Sequence, residues 1–164
     1  MKEIKFRGKR LDNKEWVFGY YVKAGDTHTI YWTQDDGTQT RATIDPETLT
    51  QFTGLYDAKF KPIFEGDILA GIKDHAKVWN NVVAYDRECA QFIGYRCDEG
   101  LSIIGDPEYL TYFHITEWDK SRKVWYLLDT VITGNLWDIK EPKEFESSCL
   151  MVDTFAEFRK HFQC

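Results

Sequence analysis

The stretch WVFGYYVKAGDTHTIYWTQDDGTQTRATI, residues 16–44, decides how this chain folds. Trp16 to Val22 is aromatic and β-branched, as is Ile30 to Thr33, and in Gln39 to Ile44 the residues Thr40, Ala42 and Ile44 alternate with polar neighbours. Alternation of this kind places every second side chain on one face of a strand. Asp36-Gly37 separates the last two runs, and glycine supplies the positive φ that a tight turn demands, so a hairpin is predicted to close near residues 34–38. Asp45-Pro46 ends the third run, because proline lacks an amide donor and restricts the residue before it.

The same punctuation continues outward. Thr48 to Thr53 starts another strand, residues 54–62 form a loop closed by Pro62, and Ile63-Phe64 leads through the tight turn Glu65-Gly66-Asp67 into Ile68 to Ile72. Val78 to Tyr85, Gln91 to Tyr95, Leu101 to Ile104 and Val124 to Ile132 read as further strands, and residues 105–123 as turn plus short strand. Gly134-Asn135 predicts a turn before Leu136-Trp137, and Pro142 marks a connector. The one predicted helix comes last: Thr154 and Glu157 have capping-box spacing, and Phe155, Phe158 and Phe162 share a face that would dock on the sheet. Short strands at this spacing describe a mainly β chain, either a small barrel or a sandwich.

Composition narrows the class. The 164 residues are 43% hydrophobic and 16% aromatic, too apolar for a solvated coil, and no apolar run approaches the ~20 residues that span a bilayer. Net charge is −6 but uneven: residues 2–14 hold six Lys/Arg against Glu3 and Asp12, a segment of +4 that leaves −10 for the rest. That balance argues against a large polyanion footprint while leaving a short basic arm. Cysteines at 89, 97, 149 and 164 form no close pair, and the polar start has no secretory signal, so a reduced cytoplasmic protein is expected.

Motifs for chemistry are sparse. His28, His75, His114 and His161 are scattered without the tight ligand pair of a zinc site, and no phosphate-binding loop or nucleophile elbow occurs around Ser102 or elsewhere. Neither a metal nor a cofactor is expected. Glu65 and Asp67 are the nearest approach to a catalytic carboxylate pair, but Gly66 between them favours a turn in which Asp67 accepts a backbone hydrogen bond. Among the six tryptophans, Trp79, Trp118 and Trp125 lie beside polar residues and are the expected surface rings.

Four segments in series carry a resemblance. Ile4-Lys5-Phe6-Arg7-Gly8, Gln51-Phe52-Thr53-Gly54-Leu55-Tyr56-Asp57, Ile63-Phe64-Glu65-Gly66-Asp67-Ile68 and Ile132-Thr133-Gly134-Asn135-Leu136 resemble, in order and spacing, the YopX family of bacteriophage and prophage proteins. The resemblance covers residues 2 to about 138. It implies an N-terminal β-rich lobe followed by an SH3-type small barrel, taken as residues 1–58 and 59–140; the connector and short C-terminal helix read from the residues themselves occupy 141–164. It also implies a phage setting in a bacterial cytoplasm, and no reaction or catalytic residues. Asp57-Ala58-Lys59-Phe60-Lys61 departs from the family by replacing a loop that usually contains glycine, and residues 139–164 extend past the usual end.

Three functional readings follow. The favoured one is a non-enzymatic accessory protein that binds a host or phage protein, with Arg7, Glu65, Gly66, Asp67, Gly134 and Asn135 as turn or partner-surface residues. The second is a weak single-stranded nucleic-acid binder using Lys2, Lys5, Arg7, Lys9 and Arg10 with Phe6 and Trp16. The third is a carboxylate-dependent hydrolase around Glu65 and Asp67. No membrane association is expected, and a homo-oligomer stays open.

Overall fold

The computed structural model describes residues 4–73, 76–87, 90–97, 108–109 and 116–138. The chain divides after Gly54 into two compact units, Met1–Gly54 and Leu55–Cys164. The protein is mainly β, and the one helical turn among the described residues is a 3-10 turn, Pro46–Thr48, capped by the Asp45 carboxylate on the Glu47 amide.

In the first unit β1 (Phe6–Lys9), β2 (Trp16–Ala24), β3 (Thr27–Thr33) and β4 (Gln39–Thr43) run as an antiparallel meander. Thr50 and Gln51 of β5 (Thr50–Tyr56) add antiparallel to the other side of β1. Alternation sorts the side chains. Val17, Ile30 and Ile44 are buried together, with Phe6, Trp32, Ala42 and Leu49 packed around them. Burying each such aliphatic side chain contributes roughly 1.5–3 kcal/mol. The hairpin expected near residues 34–38 is there: the Gln34 amide donates to the Thr38 carbonyl at 2.8 Å, and Gly37 takes φ +84°.

The second unit continues with β6 (Pro62–Phe64), β7 (Asp67–Lys73), β8 (Ala76–Asp86), β9 (Gln91–Cys97), β10 (Glu108–Tyr109), β11 (Thr116–Asp119), β12 (Val124–Leu127) and β13 (Thr130–Asn135). One sheet has the order β10-β9-β8-β7-β13, every neighbour antiparallel. β11 and β12 form a hairpin, and β12 lies parallel to Leu55-Tyr56 at the end of β5. Ile63, Leu69, Val83 and Leu127 are fully buried as the core, flanked by Leu55, Phe92 and Ile132.

Several expectations change. The described strands do not close into a barrel: β10 and β13 end the five-stranded sheet, with no pairing between them. The predicted single strand Val124 to Ile132 is two strands broken by a turn at Leu128-Asp129, β12 pairing with β5 and β13 with β7. Gly134-Asn135 is not a turn: both residues end β13, after a register shift between Ile132 and Gly134, and the turn follows at 136–138. The predicted strand 101–104, the connector at 142 and the C-terminal helix lie outside the described residues.

Candidate interaction surface

The segments singled out at 63–68 and 132–136 converge within the second unit. In the β7–β13 register Asp67 faces Asn135, and the Asn135 amide donates to Asp67 Oδ1 at 3.0 Å. The other Asp67 oxygen accepts from the Phe64 amide at 2.8 Å, which closes the turn around Glu65-Gly66. Asn135 Oδ1 in turn accepts from the Trp137 amide at 2.9 Å. Asp67 and Asn135 are both buried, so these hydrogen bonds sit out of water and are worth more than surface ones.

Gly66 lies at the centre. It takes φ +76°, donates to the Val83 carbonyl at 2.7 Å and accepts from the Leu136 amide at 3.0 Å. A Cβ there would stand 1.7 Å from the Trp137 ring, so the indole lies directly on the glycine. Gly134 meets only Ile68, at 3.6 Å from a built Cβ. Glu65, between Phe64 and Gly66, is half-buried, whereas Asp67 is fully buried, and the two carboxylates occupy different environments.

A second buried carboxylate belongs to the 51–57 segment, where no chemical motif points to it. Asp57 is fully buried; its Oδ1 accepts from the Lys59 and Lys61 amides, each at 2.8 Å, and its Oδ2 from the Ile132 amide at 3.1 Å. It thereby ties the 57–61 loop to β13. Phe60 takes φ +58° in this loop, and its ring packs against Tyr126 at 4.7 Å beneath the Arg122 guanidinium at 4.1 Å. The signal in the sequence is Asp at the end of a strand followed by a four-residue return, an Asx-type turn.

The residues of the predicted basic arm do not form one open groove. Arg7 is buried, donates to Thr50 Oγ1 at 3.0 Å and stacks on Trp16 at 4.7 Å, with the Lys9 ammonium 5.3 Å from the same ring. Arg10 is held by Asp12 through two hydrogen bonds, of 2.9 and 2.6 Å. Phe6 faces the core beside Tyr21, and Lys2 lies outside the described residues. His28 is hydrogen-bonded to the Tyr21 hydroxyl at 2.8 Å, and Cys97 is buried against the Tyr95 carbonyl. Among the described residues no three His, Cys, Asp or Glu side chains gather as a metal site, and no helix is long and apolar enough to cross a membrane. His75, His114, His161, Ser102, Cys89, Cys149, Cys164 and the side chain of Trp79 fall outside them.

Among the described residues of the second unit, the two most exposed aromatic side chains lie on the β11–β12 hairpin. Trp118 and Trp125 pair across it with ring centroids 5.5 Å apart, and they remain 41% and 49% exposed. Its turn is built by Asp119, whose carboxylate accepts from Ser121 and from the Arg122 amide and guanidinium; these bonds hold its pKa well below the usual carboxylate range. Tyr126 donates to Glu117 at 2.6 Å, which pushes the phenol's pKa up. The predicted surface rings Trp118 and Trp125 are therefore exposed, on an element whose first half reads in sequence as turn plus short strand.

Fold and site together define a mainly antiparallel β protein of two small units, with its glycine corner sealed inside and paired tryptophans outside. A family model described as YopX protein matches residues 5–147, and the chain belongs to that family. No curated protein matches it.

Proposed function

We propose that this protein is a non-enzymatic phage or prophage accessory module, working in the cytoplasm of a bacterial host, that binds a host or phage protein through the β11–β12 hairpin. The observation that carries this reading is the Trp118–Trp125 pair: two large rings packed on each other and left about half exposed, the composition of a binding hot spot. β11 is also the last strand in its sheet's order among the described residues, so its outer edge suits the addition of an extended peptide. Residues 55–164 carry the whole net charge of −6, which favours a basic partner.

The second unit is read as an SH3-type architecture, supported by the order β10-β9-β8-β7-β13, in which the last strand returns beside the first strand of a meander. The non-enzymatic reading is supported by Asp67, whose two oxygens serve the turn and Asn135. The experiment is affinity capture from the native lysogen with the wild-type chain and with the Trp118→Ala/Trp125→Ala variant, read by mass spectrometry. A protein retained by the former and lost from the latter is expected; no specific protein on either, or equal recovery on both, rejects the reading.

A further inference from the structure

We propose that the outward face of β2, β3 and β4 is a stacking surface for single-stranded nucleic acid. The site lies wholly in the first unit and is independent of the tryptophan hairpin. On β2 the alternation that buries Val17 and Gly19 turns Phe18, Tyr20 and Val22 outward, at 48%, 55% and 46% exposure. Side chains two residues apart on one strand face are separated by about 7 Å, a spacing that lets successive bases of an extended strand each find a ring. Tyr31 stands directly opposite Tyr20, and Arg41 opposite Tyr31, with its guanidinium 6.0 Å from the ring centroid. Thr27, Thr29 and Thr43 border a shallow concavity beside that pair and supply hydroxyls for base edges or phosphates.

Charge selects the occupant. Alternation and register place Lys9 and Arg41 on this face, whereas Arg7 is buried and Lys23 points to the opposite face; β1 to β4 contain no Asp or Glu, and the carboxylates of the first 54 residues all lie outside these strands. This is an aromatic face that carries two cations and no carboxylate of its own, complementary to a ligand with phosphates and flat rings. An acidic peptide would satisfy the cations but not the spaced rings. The surface is also not the N-terminal arm that composition suggested: Arg7 is buried, Arg10 is neutralised by Asp12, and the accessible rings sit one strand further on.

The test uses the full chain and fluorescein-labelled oligothymidylate and oligouridylate of about twelve nucleotides, by anisotropy in low salt with protein raised to about 100 μM, the weak end of sequence-independent binding. Saturable binding is expected. Phe18→Ala and Tyr20→Ala should each weaken it roughly 5- to 150-fold, the loss of one stacked base. Arg41→Gln should weaken it and reduce the slope of log affinity against log salt by about 0.7. Trp118→Ala should leave binding unchanged. Tyr20→Thr, well suited to an exposed strand position, replaces Tyr20→Ala if circular dichroism shows that variant to be unfolded. Absence of binding at the highest concentration, equal affinity of the folded Tyr20 and Phe18 variants with wild type, or equal displacement by polyglutamate would each overturn the proposal.

Discussion

Two turns in the second unit reach a left-handed backbone in different ways. At 57–61 the residue with positive φ is Phe60, at +58°; at the β6–β7 corner it is Gly66, at +76°. A side chain in that conformation costs about 1–2 kcal/mol, and in the first turn the three amides on Asp57 and the Phe60–Tyr126 contact offset it. At the second turn a side chain would meet the same backbone cost, but Trp137 also occupies the space a Cβ would need. Positive φ alone therefore makes glycine convenient; a neighbouring ring makes it obligatory.

Substitutions can break this contrast. The largest effect is expected from Asp57→Ala, which leaves three backbone amides without their acceptor in a fully buried site. A loss of about 3–5 kcal/mol follows, read as a lower urea midpoint at unchanged slope. Retention of stability within about 1 kcal/mol would mean that water serves those amides equally well.

Gly66→Ala should lose about 2–4 kcal/mol, from the backbone conformation and from displacing the indole. The contrast predicts coupling with Trp137: in Gly66→Ala/Trp137→Ala the obstructing ring is gone, and the double variant should be more stable than the sum of the single losses by at least about 0.5 kcal/mol. Strict additivity would sever the link between the ring and the glycine.

Phe60→Gly should change stability by no more than about 1 kcal/mol, because relief of backbone strain opposes loss of the ring contact and of chain stiffness. A drop in thermal midpoint as large as that of Gly66→Ala would show that the two turns are equivalent after all.

The smallest effect concerns acid. Asp119's folded pKa lies below its unfolded value, so its stabilising bonds are complete above the unfolded pKa and are lost as pH falls through the folded one. The β11–β12 turn is thus expected to persist from neutrality down to about pH 4 and to loosen in stronger acid. Tryptophan fluorescence of wild type and Asp119→Asn should report this, the variant lacking the acid transition; a transition unchanged in the variant would assign it to other carboxylates.

Much of the strand pattern was legible in local chemistry. Trp16 to Val22, Asp36-Gly37, Asp45-Pro46 and Glu65-Gly66-Asp67 mark strands and corners through period-two alternation and through residues with restricted or expanded φ, properties that depend on near neighbours in the chain. The role of Asp67 in its turn was readable for the same reason. Its link to Asn135, 68 residues away, was not.

Where each strand finds its partner belongs to the tertiary structure. One apolar run, Val124 to Ile132, became two strands because its halves pair with β5 and β7, and Gly134-Asn135 became the end of a strand because Asp67 and Ile68 lie opposite. The sequence by itself determined a β chain, its corners at 34–38, 45–46 and 65–67, and its family. Which cations are already engaged and why Gly66 admits no side chain were decided only by packing, since burial and hydrogen-bond pairing arise between residues that the chain's local preferences cannot bring together.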